Sequence, residues 1–190
     1  MTRSYTNKAM RSFFGAREGG QVRPNNINTP GFLFEAILNL WPEGIELDPC
    51  SNAYSWVPAR NRILGKTVDG KLCLVGVGDW KYRQHPNGLS IDWPNFTYAN
   101  EPFNELQAWL QKPVPGMEHL MLVPCRPNRG WYCDTIGTHP LMCWLKPFPF
   151  DGHTQPYPTP VALAYWGTRI REFNRIFSRY GVVGRMIINV

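Results

Sequence analysis

The sequence predicts an α/β fold, in which a mixed sheet carries helices on both faces. Apolar runs of strand length alternate with segments whose apolar residues recur every three or four positions, and the connections between them are short. No internal repeat interrupts this alternation. At 190 residues, the chain is long enough for one domain with a substantial core.

The clearest helix is predicted at residues 31–40, where five apolar residues form one stripe. Thr29 at the N-cap and Pro30 at the first helical position are typical of a helix start. Residues 51–64 show no helical pattern, and residues 81–92 are predicted to be a loop. Further helices are predicted at residues 103–112, 130–136 and 168–180. Strands are predicted at residues 45–50, 71–77, 96–99, 119–124, 141–145 and 161–166 and near 186–188, with an antiparallel extension around the proline-rich residues 146–160.

The charge of the chain suits an anionic partner. The net charge is +6 and the pI is near 9.2. Residues 1–27 are polar and rich in cations, and are predicted to form a basic arm before a domain at residues 28–190.

No apolar run approaches the roughly 18 residues that a membrane helix needs. The first residues lack the apolar centre of a signal peptide, so a cytoplasmic location is expected.

The cysteines do not predict a disulfide framework. Their number, five, is odd. Cys125, Cys133 and Cys143 lie near histidines in the sequence, which makes a zinc site conceivable. Reduced, buried thiols account for the same residues, and no metal site is predicted.

The candidate site is the stretch Asn100-Glu101-Pro102-Phe103, where a predicted strand gives way to a helical pattern. Ligands of open α/β sheets bind at the carboxyl ends of strands. Asn and Pro are also common in plain turns. An Asn side-chain oxygen and the next backbone carbonyl are able to accept both N–H groups of an exocyclic amine. A nearby aromatic ring is suited to stack on a flipped base. The chain has neither a P-loop nor a dinucleotide-binding glycine motif.

Five further segments accompany this stretch in a recognisable order. Thr29-Pro30-Gly31-Phe32-Leu33-Phe34 is similar to a Thr-Pro-x-x-Leu-Phe opening, and Leu47-Asp48-Pro49-Cys50 to a first cofactor strand. The remaining segments are residues 87–93, 122–131 and 145–166. In this order the chain resembles the phage-type DNA adenine N6-methyltransferases, a Dam-like family. The likeness covers about residues 28–167.

The resemblance implies a Rossmann-like methyltransferase fold with a mixed, mostly parallel sheet. It also implies S-adenosylmethionine as the methyl donor and adenine N6 in double-stranded DNA as the acceptor. Asn100 would accept from the amine, Phe103 would stack on the adenine, and Thr29 would face the methionine carboxylate. The implied catalytic residues are Asn100, Glu101, Pro102 and Phe103. The implied cofactor residues are Thr29, Pro30 and Phe32 in the opening, together with Asp48, Pro49, Cys50 and Asp79. The implied DNA contacts are Arg126, Asn128, Arg129 and Trp131.

Two features depart from the family pattern. The family motif is Asn/Asp-Pro-Pro-Tyr/Phe, and Glu101 stands at its second position. With Glu101 in place of proline, the motif has no fixed φ at this position and carries an additional carboxyl group. Three outcomes stay open: an active adenine enzyme, an altered acceptor such as cytosine N4, or a decayed catalyst that binds nucleic acid or cofactor. The second departure is a long linker between Asn61 and Asn87, in which Asp69 and Asp79 are candidates to hold the cofactor ribose. Asp79 is preferred.

Overall fold

The structure is a computed structural model that describes residues 28–52, 55–68, 71–84, 86–101, 103, 106–136, 140–150 and 153–185. For residues 66–68 and 71–73 it describes the backbone alone. The predicted basic arm, Pro102, Asp69 and the predicted strand near residues 186–188 lie outside these ranges.

The described elements alternate as the sequence predicts. The helices are α1 (Gly31–Leu40), α2 (Trp80–Gln84), α3 (Leu106–Trp109), α4 (Gly130–Ile136) and α5 (Ile170–Phe177). The strands are β1 (Ile45–Asn52), β2 (Ala59–Val68), β3 (Lys71–Val77), β4 (Thr97–Ala99), β5 (His119–Pro124), β6 (Leu141–Leu145), β7 (Val161–Tyr165) and β8 (Gly181–Gly184). Within the described part of the chain, no helix is long and apolar enough to cross a membrane.

The strands form one mixed sheet in the order β3-β2-β1-β4-β5-β7-β6-β8. β1 pairs in parallel with β2 and β4, and β4 pairs in parallel with β5. β3, β7 and β8 run in the opposite direction to these strands and to β6. The mixed α/β sheet and its antiparallel extension after β5 are therefore confirmed. β1 and β4 are central neighbours whose carboxyl ends meet on one side, which we call the carboxyl side of the sheet.

Helices cover both faces of the sheet. Consecutive residues of the central strands point to opposite faces, so that Tyr98 belongs to one buried cluster and Ala99 to the other. The first cluster packs the sheet against α1 and α5, and the second packs it against α2, α3 and α4. Both clusters consist of buried aliphatic and aromatic side chains, which supply the main favourable term for folding.

Three local predictions are wrong. The sequence pattern misses β2 because charged residues such as Arg60 and Arg62 alternate with Asn61 and Ile63, which are the buried ones. It misses α2, which has a single buried side chain, Tyr82. It also describes residues 71–77 as a buried strand, whereas β3 lies at the edge of the sheet. Leu74 in β3 is 44% exposed.

The start of α1 also differs from the prediction. Pro30, not Thr29, is the N-cap, with φ −65° and ψ 149°. The carbonyl oxygen of Pro30 accepts from the Leu33 N–H at 3.0 Å, which closes the first turn. Thr29 does not cap the helix because its hydroxyl is engaged elsewhere, by Tyr98.

A buried carboxylate joins the elements on the opposite side of the sheet. Glu118, just before β5, accepts from the Trp41 indole N–H at 3.0 Å, from the Thr168 backbone N–H at 3.0 Å and from the Thr168 hydroxyl at 3.1 Å. The Tyr165 hydroxyl donates to the same group. Burial raises the pKa of Glu118, but the donors outweigh burial and the net pKa is lowered.

Candidate functional site

Three distant segments meet on the carboxyl side of the sheet. They are the residues before α1, the end of β1 with the residues that follow it, and the first residue after β4. Together they line a small pocket that is open to solvent. Its lining residues are Asn28, Thr29, Asp48, Cys50, Ser51, Asn52, Ser55, Val57 and Asn100.

Thr29 connects the start of α1 to the end of β4. Its hydroxyl lies 2.7 Å from the Tyr98 hydroxyl, and it accepts from the Asn100 side-chain Nδ2 at 3.2 Å. Tyr98 is fully buried, so this pair fixes the hydroxyl of Thr29. The Asn100 amide is therefore held in one direction by a residue 71 positions earlier in the chain.

Asp48 is a buried acid in the pocket wall. Its Oδ1 accepts from the backbone N–H of Cys50 at 3.3 Å. Burial raises the pKa of Asp48 to about 6, while the Ser51 hydroxyl, the Cys50 N–H and Arg62 act in the opposite direction. A carboxyl group in a pocket with a pKa near neutrality is typical of a functional site.

The raised pKa of Asp48 predicts a stability that falls between about pH 4 and pH 6. The folded chain binds the proton more tightly than the unfolded chain, whose Asp pKa is near 3.8, so ionisation opposes folding above this window. We expect Asp48→Asn to raise the free energy of unfolding at pH 7 by about 3 kcal/mol, from 1.36 kcal/mol per pKa unit. At about pH 3.5 the gain should vanish. Urea unfolding at both pH values measures the difference in the free energy of unfolding between variant and wild type. An equal difference at the two pH values would contradict the raised pKa of Asp48.

Glu101 is the second buried acid on this side of the sheet. Only 2% of its surface is exposed, and within the described residues neither carboxylate oxygen has a hydrogen-bond partner. Burial raises the pKa of Glu101 well above its usual value, and its own backbone N–H acts weakly in the opposite direction. The Cys50 thiol is also shifted: burial raises its pKa, and Asp48 and Glu101 raise it further. Glu101 therefore lies within electrostatic reach of the pocket wall.

Phe103 does not line the pocket. Its ring is buried in the core and lies 5.5 Å, centroid to centroid, from the ring of Tyr157 at 77°. Tyr157 in turn packs against Phe150 at 5.4 Å. The predicted stacking ring is thus covered by Tyr157 in this structure. Its neighbour Pro102 lies outside the described residues.

Among the predicted cofactor residues, Thr29, Asp48 and Cys50 line the pocket, and Pro30 and Pro49 are their chain neighbours. Pro49 packs closely against the 87–90 turn, because a Cβ on Gly88 would lie 2.2 Å from the Pro49 carbonyl oxygen. The segment that is similar to the family's first cofactor strand is therefore in contact with residues 87–93, another segment of the resemblance.

The structure does not place Phe32 at the pocket. Its ring lies 5.6 Å from Phe148 and 5.4 Å from Tyr180. In a helix, the side chains of Phe32 and Leu33 point in directions about 100° apart, and it is Leu33 that faces the core. Phe32, a predicted cofactor residue, therefore does not lie among the residues that line the pocket.

Asp79, the preferred candidate to hold the cofactor ribose, also lies away from the pocket. The Asp79 backbone N–H donates to the Asn61 side-chain oxygen at 2.7 Å, and Asn61 donates to Glu46 at 2.9 Å. Because β3 is antiparallel to β2, the chain returns to the start of β2 before it reaches Asp79. Asp79 therefore lies near the amino ends of β1 and β2, away from the pocket on the carboxyl side. The other candidate, Asp69, lies outside the described residues.

Sequence reasoning missed several lining residues. Ser51 and Asn52 continue the strand of Asp48, and Asn28 precedes Thr29 directly. The side-chain amide of Asn52 donates to the Asn28 side-chain oxygen at 2.9 Å, which ties the two segments together. The available signal was the run of small polar residues next to both predicted segments.

The predicted DNA contacts follow β5 on the carboxyl side of the sheet. Asn128 and Arg129 are exposed, and Arg126 and Trp131 are both partly buried. Arg126 is close enough to Tyr157 to affect its pKa, although burial is the larger influence and raises that pKa to about 12. The loop thus adjoins the Tyr157 ring that covers Phe103.

Most of the residues that line the pocket are polar. Its hydroxyl and amide groups offer hydrogen bonds to a carboxylate and an ammonium group. The space that these residues line is small and open to solvent, so an adenosyl group would extend beyond them. The described residues contain no cluster of three or more His, Cys, Asp or Glu that could hold a metal ion.

Comparison of the chain with protein families, curated proteins and solved structures finds no match.

Proposed function

We propose that this chain is an S-adenosylmethionine-dependent methyltransferase that acts on the N6 amino group of adenine in DNA. The observation that carries the proposal is the position of Asn100, which follows β4, is held by Thr29 and shares one pocket with the end of β1. These are the segments to which the sequence resemblance assigns amine binding and cofactor binding. They are far apart in the chain, and the fold brings them together.

The order of the strands supports a Rossmann-like fold for this proposal. The classic Rossmann order is 3-2-1-4-5-6. The described sheet has the same order, with the antiparallel strand β7 inserted before β6, and with β3 reversed. In such sheets ligands bind where the strand order reverses, and here that point lies between β1 and β4.

The chemistry needs positioning more than proton transfer before attack. The bound cofactor would supply an electrophilic methyl group. The Asn100 side-chain oxygen and the Glu101 backbone carbonyl would accept the two N–H groups of the amine and direct its lone pair. For Phe103 to stack on an extruded adenine, the Tyr157 ring must move aside. The proposed partner is double-stranded DNA in the cytoplasm, that of the host if the protein is phage-encoded, where methylation would protect DNA against restriction.

Incubation of the purified chain with double-stranded DNA and methyl-labelled cofactor tests the proposal. Digestion to nucleosides then identifies the product. N6-methyladenine is the expected result, and N4-methylcytosine would show that the acceptor has changed. Label in neither nucleoside, with DNA of several sequences, would overturn the proposed activity.

A second candidate function is non-catalytic binding of nucleic acid or cofactor. The observations that favour it are the burial of Glu101 in place of the motif proline and the covering of Phe103 by Tyr157. Cofactor binding by calorimetry, combined with absent methyl transfer, is the result that this candidate predicts.

The loop after β5 predicts a specific change in DNA binding. Arg129 is exposed on the same side of the sheet as the pocket. We expect Arg129→Ala to weaken DNA binding and to reduce the slope of log K against log salt by about 0.9, the value for one phosphate contact. Arg83→Ala is the matched control, because Arg83 bonds the Gly78 carbonyl oxygen near the start of β2. Fluorescence anisotropy at several salt concentrations measures both; equal slopes for the two variants would exclude the phosphate contact.

A further inference from the structure

A buried carboxyl group without a partner needs a physical reason. Transfer of an unpaired carboxylate from water into a protein interior is strongly unfavourable. Glu101 is 2% exposed, takes part in neither described ion pair and has no described hydrogen-bond partner for either oxygen. Glu118, which is also buried, has four donors around its carboxylate. The fold therefore surrounds the carboxylate of Glu118 with four donors, whereas the carboxyl group of Glu101 makes no described hydrogen bond and is influenced only by its own backbone N–H.

The surroundings of Glu101 contain acids and no described cation that pairs with it. Cys50 of β1 and Tyr98 of β4 lie within electrostatic reach of Glu101. Arg62 of β2 acts on Asp48. In the ligand-free protein burial favours the neutral acid as the form of Glu101.

We propose that Glu101 is the counter-charge for a cationic ligand: it is a neutral acid when the pocket is empty and releases its proton when a sulfonium group binds beside it. The inference rests on the proposed function, because that function supplies the sulfonium. It is carried by geometry: Glu101 directly follows Asn100, which lines the pocket, and its buried carboxyl group has no described hydrogen-bond partner for either oxygen. A positive charge there favours the carboxylate and offsets its desolvation.

The proton balance of methyl transfer agrees with this role. One proton leaves Glu101 for solvent when the cation binds. Methyl transfer then forms a nitrogen–carbon bond, breaks a sulfur–carbon bond whose electron pair stays on sulfur, and frees one proton from the amine nitrogen. The Glu101 carboxylate has lost its counter-charge and takes up one proton. The full cycle therefore releases one proton to solvent and returns Glu101 to its neutral form.

Calorimetric proton counting tests the proposal without any turnover. S-adenosylmethionine and S-adenosylhomocysteine differ by one methyl group and its positive charge, so each is titrated into the chain in buffers of different ionisation enthalpy. At about pH 8 Asp48, with its pKa of about 6, is already ionised and does not contribute. We expect the sulfonium ligand to release up to about one proton more than the thioether, by linkage. Equal proton release by the two ligands overturns the proposal.

Two variants test whether the additional proton that is released on sulfonium binding comes from Glu101. In Glu101→Gln the difference in proton release should disappear, and the preference for the sulfonium over the thioether should fall about tenfold, as expected for loss of one nearby opposite charge. Glu35→Gln, at an exposed position of α1, should keep both properties. A difference that persists in Glu101→Gln assigns the proton to another group and overturns the proposal. If neither ligand binds, the proposed function and this inference both fail; if both bind with equal release, the inference alone fails.

Discussion

Replacement of Asn100 by alanine is expected to lower the rate of methyl transfer to DNA by a factor of about a hundred to a thousand, the usual cost of one missing transition-state hydrogen bond. The Asn100 oxygen is the only side-chain acceptor that the proposal assigns to the substrate amine. The backbone carbonyl of Glu101 would remain, so positioning of the amine would be impaired rather than removed. Rapid-quench measurement of a single turnover with labelled cofactor gives the rate directly.

The control for this variant is Asn174→Ala, at an exposed position of α5. It should leave the rate unchanged. Cofactor affinity of Asn100→Ala, measured by calorimetry, should change far less than the rate, because eight other residues also line the pocket. A variant that transfers methyl groups at the wild-type rate would exclude Asn100 from catalysis.

The largest effect on stability is expected at Glu118. In Glu118→Ala the Trp41 indole N–H, the Tyr165 hydroxyl and the Thr168 N–H all lose their acceptor. Leaving buried donors unsatisfied costs about 1–3 kcal/mol each, and relaxation and water recover part of this, so we expect a loss of about 3–5 kcal/mol in the free energy of unfolding. Chemical denaturation at neutral pH measures it.

Glu35→Ala provides the comparison for Glu118. Glu35 is exposed in the middle of α1, and its replacement should change the free energy of unfolding by no more than about 0.5 kcal/mol. A loss of less than about 1 kcal/mol in Glu118→Ala would show that water or a shifted side chain replaces the carboxylate.

Long apolar patterns were sufficient to predict most elements. The bounds of α1, α4, β3, β5 and β6 agree with the prediction, because each coincides with an apolar stripe or run that has clear limits. β2 could not be found in this way. Its stability comes from parallel pairing with β1 and from the burial of Asn61, a polar residue whose side chain bonds Glu46 and the Asp79 N–H. A hydrophobic pattern carries no information about such a residue.

Some of the predicted site residues line the pocket and others lie elsewhere. The displacement of the others has a common physical cause. The pocket contains Thr29, Asp48, Cys50 and Asn100, which all lie at the ends of predicted elements. The family resemblance assigns Phe32, and the position directly after an apolar strand favours Asp79. Helix rotation directs Phe32 towards Phe148, and the reversal of β3 carries Asp79 to the other side of the sheet. Neither strand direction nor helix rotation is readable from a single sequence.

The hydrogen bond between Thr29 and Asn100 has a consequence for how the chain acquires its site. It joins residues 71 positions apart, and it forms only once β4, a strand of three residues, has paired between β1 and β5. Contacts of such high sequence separation carry a large loop-closure entropy and form slowly. During synthesis the pocket can therefore form only after residues 97–124, which contain β4 and β5, have been added to the chain. Fragments that end before β5 should accordingly fail to bind ligand even where their helices are formed.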